Sequence, residues 1–74
     1  MNKISEHRNK ANYSQAAFSK LIGVTTSTIG NYEQEIRTPP LLTCWKIINA
    51  FRRIGIECSF EDIFPNSLTS EFKE

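Results

Sequence analysis

The chain has 74 residues, 39% of them hydrophobic and 23% charged, with a net charge of +1. That allows one domain with a modest core, and excludes both a second catalytic domain and the charge-rich, apolar-poor composition of a disordered chain. Its apolar stretches are interrupted by Lys46, Asn49, Arg52 and Arg53 and its first ten residues are polar, so neither a membrane span nor a secretory leader is expected, and the expected location is cytoplasmic.

A first helix is expected over about residues 2 to 11, with Asn12 ending it because asparagine tolerates the left-handed conformation. Ser14 reads as the N-cap of a second helix running from Gln15 to about Ile22, in which Phe18, Leu21 and Ile22 mark one buried face. Gly23 stands where a helix end needs positive φ. Thr25 caps a third helix over about 26–34, with Ile29 and Tyr32 facing inward and Gly30 in its interior. Glu35 to Thr38 form a polar connector that Pro39 and Pro40 close.

Leu41, Leu42, Trp45, Ile48 and Phe51 then recur at helical spacing, which predicts a fourth helix over about 41–53 with this stripe as its core face, ended near Gly55. Ser59 caps a short fifth helix carrying Phe60, Ile63 and Phe64 before Pro65. The reading is all-α with five helices, a domain over 1–65 and a frayed tail over 66–74. Cys44, Cys58 and the single His7 supply neither a zinc set nor a C-x-x-C pair. Both thiols are expected buried, His7 is read as a surface residue, and no metal or cofactor is expected.

A helix, a short turn opening on glycine and a second short helix have the spacing of a helix-turn-helix, whose second helix enters the major groove. Its geometric demands are met between Gln15 and Gln34: Gly23 for the bend, Ser19 as the small residue at the helix contact, and Phe18, Ile22, Val24, Ile29 and Tyr32 for the shared core.

The segment SQAAFSKLIGVTTSTIGNYEQ resembles the helix-turn-helix of phage repressor and Cro-type (XRE-type) DNA-binding domains, and the likeness extends to Arg8, to the R-x-P element at Arg37 and Pro39 and to the apolar fourth helix. It covers about residues 4 to 64 and implies a compact five-helix lambda-repressor-like fold. It also implies an ion pair between Arg8 and Glu33 tying the first helix to the third. The chain departs from the family at Glu35, where a glycine is usual, and at Ser19, where alanine is usual.

On the outer side of the third helix Thr26, Ser27, Thr28, Gly30 and Asn31 are short, mostly polar residues able to work in a groove. Thr26, Ser27 and Asn31 are expected at base edges, the positions that carry them in similar proteins, and Gly30 is read as permitting close approach. Ser14 and Gln15, at a helix N-terminus, are expected at phosphates, with Thr25 and Arg37 next. The reading face has no Arg or Lys, so one subunit should bind modestly, and a homodimer on a palindromic double-stranded operator is the expected remedy. Phe60 or Phe64 is expected at the dimer interface.

Basic residues Lys3, Arg8, Lys10, Lys20 and Arg37 come early, whereas Glu57, Glu61, Asp62, Glu71 and Glu74 come late, which favours a mildly basic N-terminal face. A short chain with an initiator Met suits a Cro-like repressor of phage type. A restriction controller, an antitoxin or a protein-interaction adaptor that keeps the fold are the alternatives, the adaptor supported by the low net charge. No paired acid and base, Ser/His/Asp set or phosphate loop is visible, so neither an enzyme nor a small-molecule substrate is expected.

Overall fold

The computed structural model describes residues 2–65. The expected tail over 66–74, with Glu71 and Glu74, lies outside the described residues. Five helices follow one another, α1 (Ile4–Lys10), α2 (Gln15–Ile22), α3 (Thr26–Glu33), α4 (Leu41–Arg53) and α5 (Phe60–Ile63), and the described residues contain no strand. None of these helices is long and apolar enough to cross a membrane.

Local chemistry sets the boundaries. The Ser14 hydroxyl accepts from the Ala17 amide, and that of Thr25 accepts from the Thr28 amide, so each helix of the central pair starts on a side-chain cap. Gly23 ends α2 at φ 85°, a conformation glycine adopts without a steric penalty. Asn12 leaves α1 at φ 61° as expected. Glu35 adopts φ 62° just past α3, so the departure from glycine leaves the left-handed exit in place. Its carboxylate accepts from the Asn2 backbone amide. A capping box opens α5: Ser59 Oγ accepts from the Asp62 amide and Asp62 Oδ2 accepts from the Ser59 amide at 2.8 Å.

The core gathers Ile4 from α1, Phe18 and Ile22 from α2, Ile29 and Tyr32 from α3, and Cys44, Ile47, Ile48, Ala50 and Phe51 from α4, closed by Cys58, Ile63 and Phe64. Phe18 and Phe51 stack at 4.5 Å between centroids in its middle. Each fully buried side chain of this size stabilises the fold by about 1.5–3 kcal/mol. Both cysteines are free and buried, and burial pushes both thiols above their ordinary value of 9.0. At Cys58 the nearby Arg52 partly opposes that rise and Asp62 adds to it. His7 is half-buried, with its Nδ1 2.9 Å from the Lys3 carbonyl and its ring 5.8 Å from that of Phe51.

The α4 stripe needs correction. Ile48 and Phe51 are buried, but Leu41, Leu42 and Trp45 are 58%, 72% and 42% exposed. The inward face is instead Cys44, Ile47, Ile48 and Phe51, the i, i+3, i+4, i+7 set that begins one turn into the helix. Leu42 lies on the row of Lys46, Asn49 and Arg53, all exposed, so helical phase turns it to solvent. Leu41 and Trp45 stand on the row of Ile48, at the flank of the inward face centred on Cys44, Ile47 and Phe51, and remain exposed there. The expected interface pair also divides. Phe64 is 3% exposed and committed to the chain's own core, because the cap on Ser59 sets α5 with Ile63 and Phe64 inward. Phe60 is half-buried.

Candidate nucleic-acid interface

Three rows of side chains organise α3. Ile29 and Tyr32 face the core and are buried. Thr26, Gly30 and Glu33 lie one turn apart on a second row that faces α2: the Thr26 hydroxyl stands 3.5 Å from that of Ser19, and Glu33 Oε1 accepts from Gln15 Nε2 at 2.9 Å. Ser19, 2% exposed, donates its hydroxyl proton to the Ala16 carbonyl at 2.8 Å, so its polar atom is satisfied while it fills the helix contact. The third row, Ser27 and Asn31, points away from both.

On the outward side, Ser27 is exposed and Asn31 half-buried, with short side chains that leave room for a double helix to approach. Thr25 and Thr28 are tied to each other, their hydroxyls 2.7 Å apart. This tie pins the first turn of α3 from which Thr26 and Ser27 project. At the other end the Asn31 carbonyl accepts from the amides of Ile36 and Arg37 at 2.9 and 3.3 Å. Arg37 is exposed, with its guanidinium 6.0 Å from the centroid of the Tyr32 ring.

Gln15 joins the two helices of the pair. Its amide lies over Gly30, where a Cβ atom would meet Nε2 and Oε1 at 3.7 and 3.9 Å, ordinary contact distances. The chain's own packing therefore gives no reason for a glycine at position 30. Ser14 is exposed and caps the Ala17 amide; the first-turn amides of a helix lack intrahelical partners, so an exposed N-terminus of this kind favours an anion.

Behind this surface, Arg8 presents a fork to Glu33, with Nε donating to Oε2 at 2.7 Å and Nη2 to Oε1 at 3.3 Å. Nη1 of the same guanidinium donates to the Tyr13 carbonyl at 2.7 Å. The pair is largely covered, with side chains 11% and 7% exposed. Arg8 thus belongs to the scaffold, and its charge, neutralised by Glu33, adds nothing to a basic face. Asn2 has a role that the sequence reading missed. Its Nδ2 donates to the Tyr32 carbonyl at 2.8 Å, at the end of α3, while its Oδ1 accepts from the Ile4 amide at 3.2 Å. An Asn two positions ahead of a helix start is a recognisable local signal for the second bond. The first joins residues thirty apart in sequence and has no local signature.

A family profile described as helix-turn-helix matches residues 4–57, most of the chain and all of α1 to α4. The chain belongs to the Cro/C1-type helix-turn-helix family. No curated protein matches it significantly. As a helix-turn-helix protein it is a DNA-binding transcriptional regulator, of a family that is generally non-enzymatic. No group of three or more His, Cys, Asp or Glu residues that could hold a metal occurs among the described residues.

Proposed function

We propose that this helix-turn-helix protein is a Cro-like repressor, of the phage type and acting in the cytoplasm, that binds a palindromic operator as a homodimer and silences a promoter by covering it. The observation that carries the reading is the outward face of α3. It offers Ser27 and Asn31, with the exposed Thr26 at its edge beside α2, uncharged hydrogen-bonding side chains with little core value, on a helix pinned to α2 through Gln15 and Glu33.

In this reading Asn31 takes an adenine edge through N6 and N7, and Ser27 and Thr26 take base edges or a thymine methyl. Thr28 supports them from the first turn. Ser14, Gln15, Thr25 and Arg37 set the register by contacts to phosphates. Gln15 can do so without releasing Glu33, because its amide nitrogen carries two hydrogens and the bond to Glu33 uses one. The face lacks cationic side chains, so a single copy binds modestly, and two copies on a twofold site supply the missing affinity.

The test is a selection from random duplex DNA at two salt concentrations, with sequencing of the retained pool. Enrichment of a palindrome with half-sites about one helical turn apart supports the reading. The net charge of +1 favours one second reading, a protein-interaction adaptor or antitoxin-like partner binder that keeps the fold. Absence of any enriched duplex even at low salt would select it.

A further inference from the structure

We infer, on the footing of the reading above in which Asn31 takes a base edge and Arg37 a phosphate, that Asn2 and Glu35 form a clasp that positions both. The end of α3 shows why a clasp is needed. Gln34 is its C-cap, and Glu35 follows at φ 62°. The Glu35 amide donates to the Tyr32 carbonyl at 3.1 Å, and the Ile36 amide donates to the Asn31 carbonyl at 2.9 Å. These two bonds make a Schellman motif, which usually has a glycine at the left-handed position and an apolar contact across its ends. Here it has neither. Glu35 brings a Cβ into a conformation that crowds the backbone. Ile36 is 67% exposed, and the positions on which it would pack are held by Asn31 and Gly30.

The N-terminal segment supplies other support. The Glu35 carboxylate accepts from the Asn2 backbone amide, a bond that a glycine at position 35 could not make. Asn2 Nδ2 donates at 2.8 Å to the Tyr32 carbonyl, the same oxygen that takes the Glu35 amide. The clasp is itself anchored. Asn2 Oδ1 accepts from the Ile4 amide at the start of α1, and the neighbouring Lys3 amide donates to the Ile63 carbonyl in α5.

The groups it holds are those assigned to DNA. The Asn31 carbonyl takes the Arg37 amide as well as that of Ile36, and the Arg37 guanidinium lies 6.0 Å from the centroid of the Tyr32 ring. With only eight residues, α3 has Asn31 in its last turn, where a short helix frays first. An opened exit would therefore displace the base-reading side chain and the phosphate-binding one together. Asn2 and Glu35 touch no DNA in this scheme and act as positioning residues.

The experiment compares the full native chain with Glu35→Gly, Glu35→Gln and Asn2→Asp. The first removes the acceptor while relieving the backbone, and the second keeps an oxygen that can accept. Asn2→Asp keeps an oxygen for the Ile4 amide and loses the donor to Tyr32. Three quantities are read: the urea midpoint, hydrogen exchange at the Ile36 and Arg37 amides by NMR, and binding to the selected duplex and its single-base variants. Glu35→Gly should unfold at no lower urea concentration than the native chain, yet exchange roughly fivefold faster at both amides. It should also lose at least about threefold in base preference, concentrated at the base pair that Asn31→Ala relaxes. Asn2→Asp should show the same faster exchange and the same relaxed base pair, and Glu35→Gln should keep both properties near native.

Unchanged base preference in Glu35→Gly and Asn2→Asp, whatever their exchange rates, would overturn the positioning role. So would a loss equal on every sequence that follows a lowered urea midpoint, which is the signature of a bond that only stabilises the fold. Failure of the DNA reading is distinguishable from either result. The native chain would then enrich no duplex in the selection, and the role given to the clasp would fall with it even if exchange showed the clasp to be formed.

Discussion

Gly30 costs α3 about 1 kcal/mol relative to alanine, and no contact within the chain offsets that cost, since a Cβ there meets only the Gln15 amide at ordinary distances. Gly30→Ala should therefore stabilise the domain by about 0.5–1 kcal/mol in urea denaturation. If the missing side chain serves the approach of DNA, the same substitution should weaken binding to the selected duplex, so the two measurements should move in opposite directions. Two neighbouring residues are expected to behave differently from each other. Asn31→Ala should relax preference at one base pair by about 1–3 kcal/mol and leave other positions unchanged. Gln15→Ala should weaken every sequence alike, with a stability loss of about 1 kcal/mol from its bond to Glu33. Binding measured on a panel of single-base variants separates the two, and equal loss on all of them for Asn31→Ala would remove its reading role.

At the scale of elements, α5 depends on a reciprocal cap. Hydrogen bonds from the backbone and hydroxyl of Ser59 hold the Asp62 carboxyl below its ordinary value of 3.8. Because the folded value is depressed, the stabilisation is complete above 3.8 and disappears as pH falls through the lower folded value. Asp62→Asn should thus reduce thermal stability at neutral pH and lose that penalty in acid, a difference visible in melting curves between pH 2 and 6. The five helices were legible from Ser14, Gly23, Thr25, Pro40 and Ser59 because caps and breakers act within a turn or two. The α4 stripe was misread for a different reason. Periodicity identifies rows on a helix, but which turns of a row are covered depends on where the neighbouring helices end. Ile47 completes the inward face, and the stripe through Leu42 and Trp45 passed over it.

For the whole molecule, the Arg8 and Glu33 pair holds α1, α3 and the loop at Tyr13 together. Removing one partner of a covered ion pair costs about 3–5 kcal/mol, while a domain this small has a total stability of only about 5 kcal/mol. Arg8→Ala should accordingly leave much of the chain unfolded at 25 °C by circular dichroism. Arg8→Lys, which keeps the charge but loses the fork, should fall between it and the native chain. Distance in sequence set the limit of legibility at this scale. The pair was available only through resemblance, and the bonds of Asn2 and Lys3 to Tyr32 and Ile63 were not readable at all.

Those last bonds have a consequence for synthesis. The Lys3 amide donates to the Ile63 carbonyl at 2.7 Å, joining the beginning of the described fold to its last helix. During translation the α1 end emerges first and cannot make this bond until Ile63, sixty residues further on, has been added and has emerged as well.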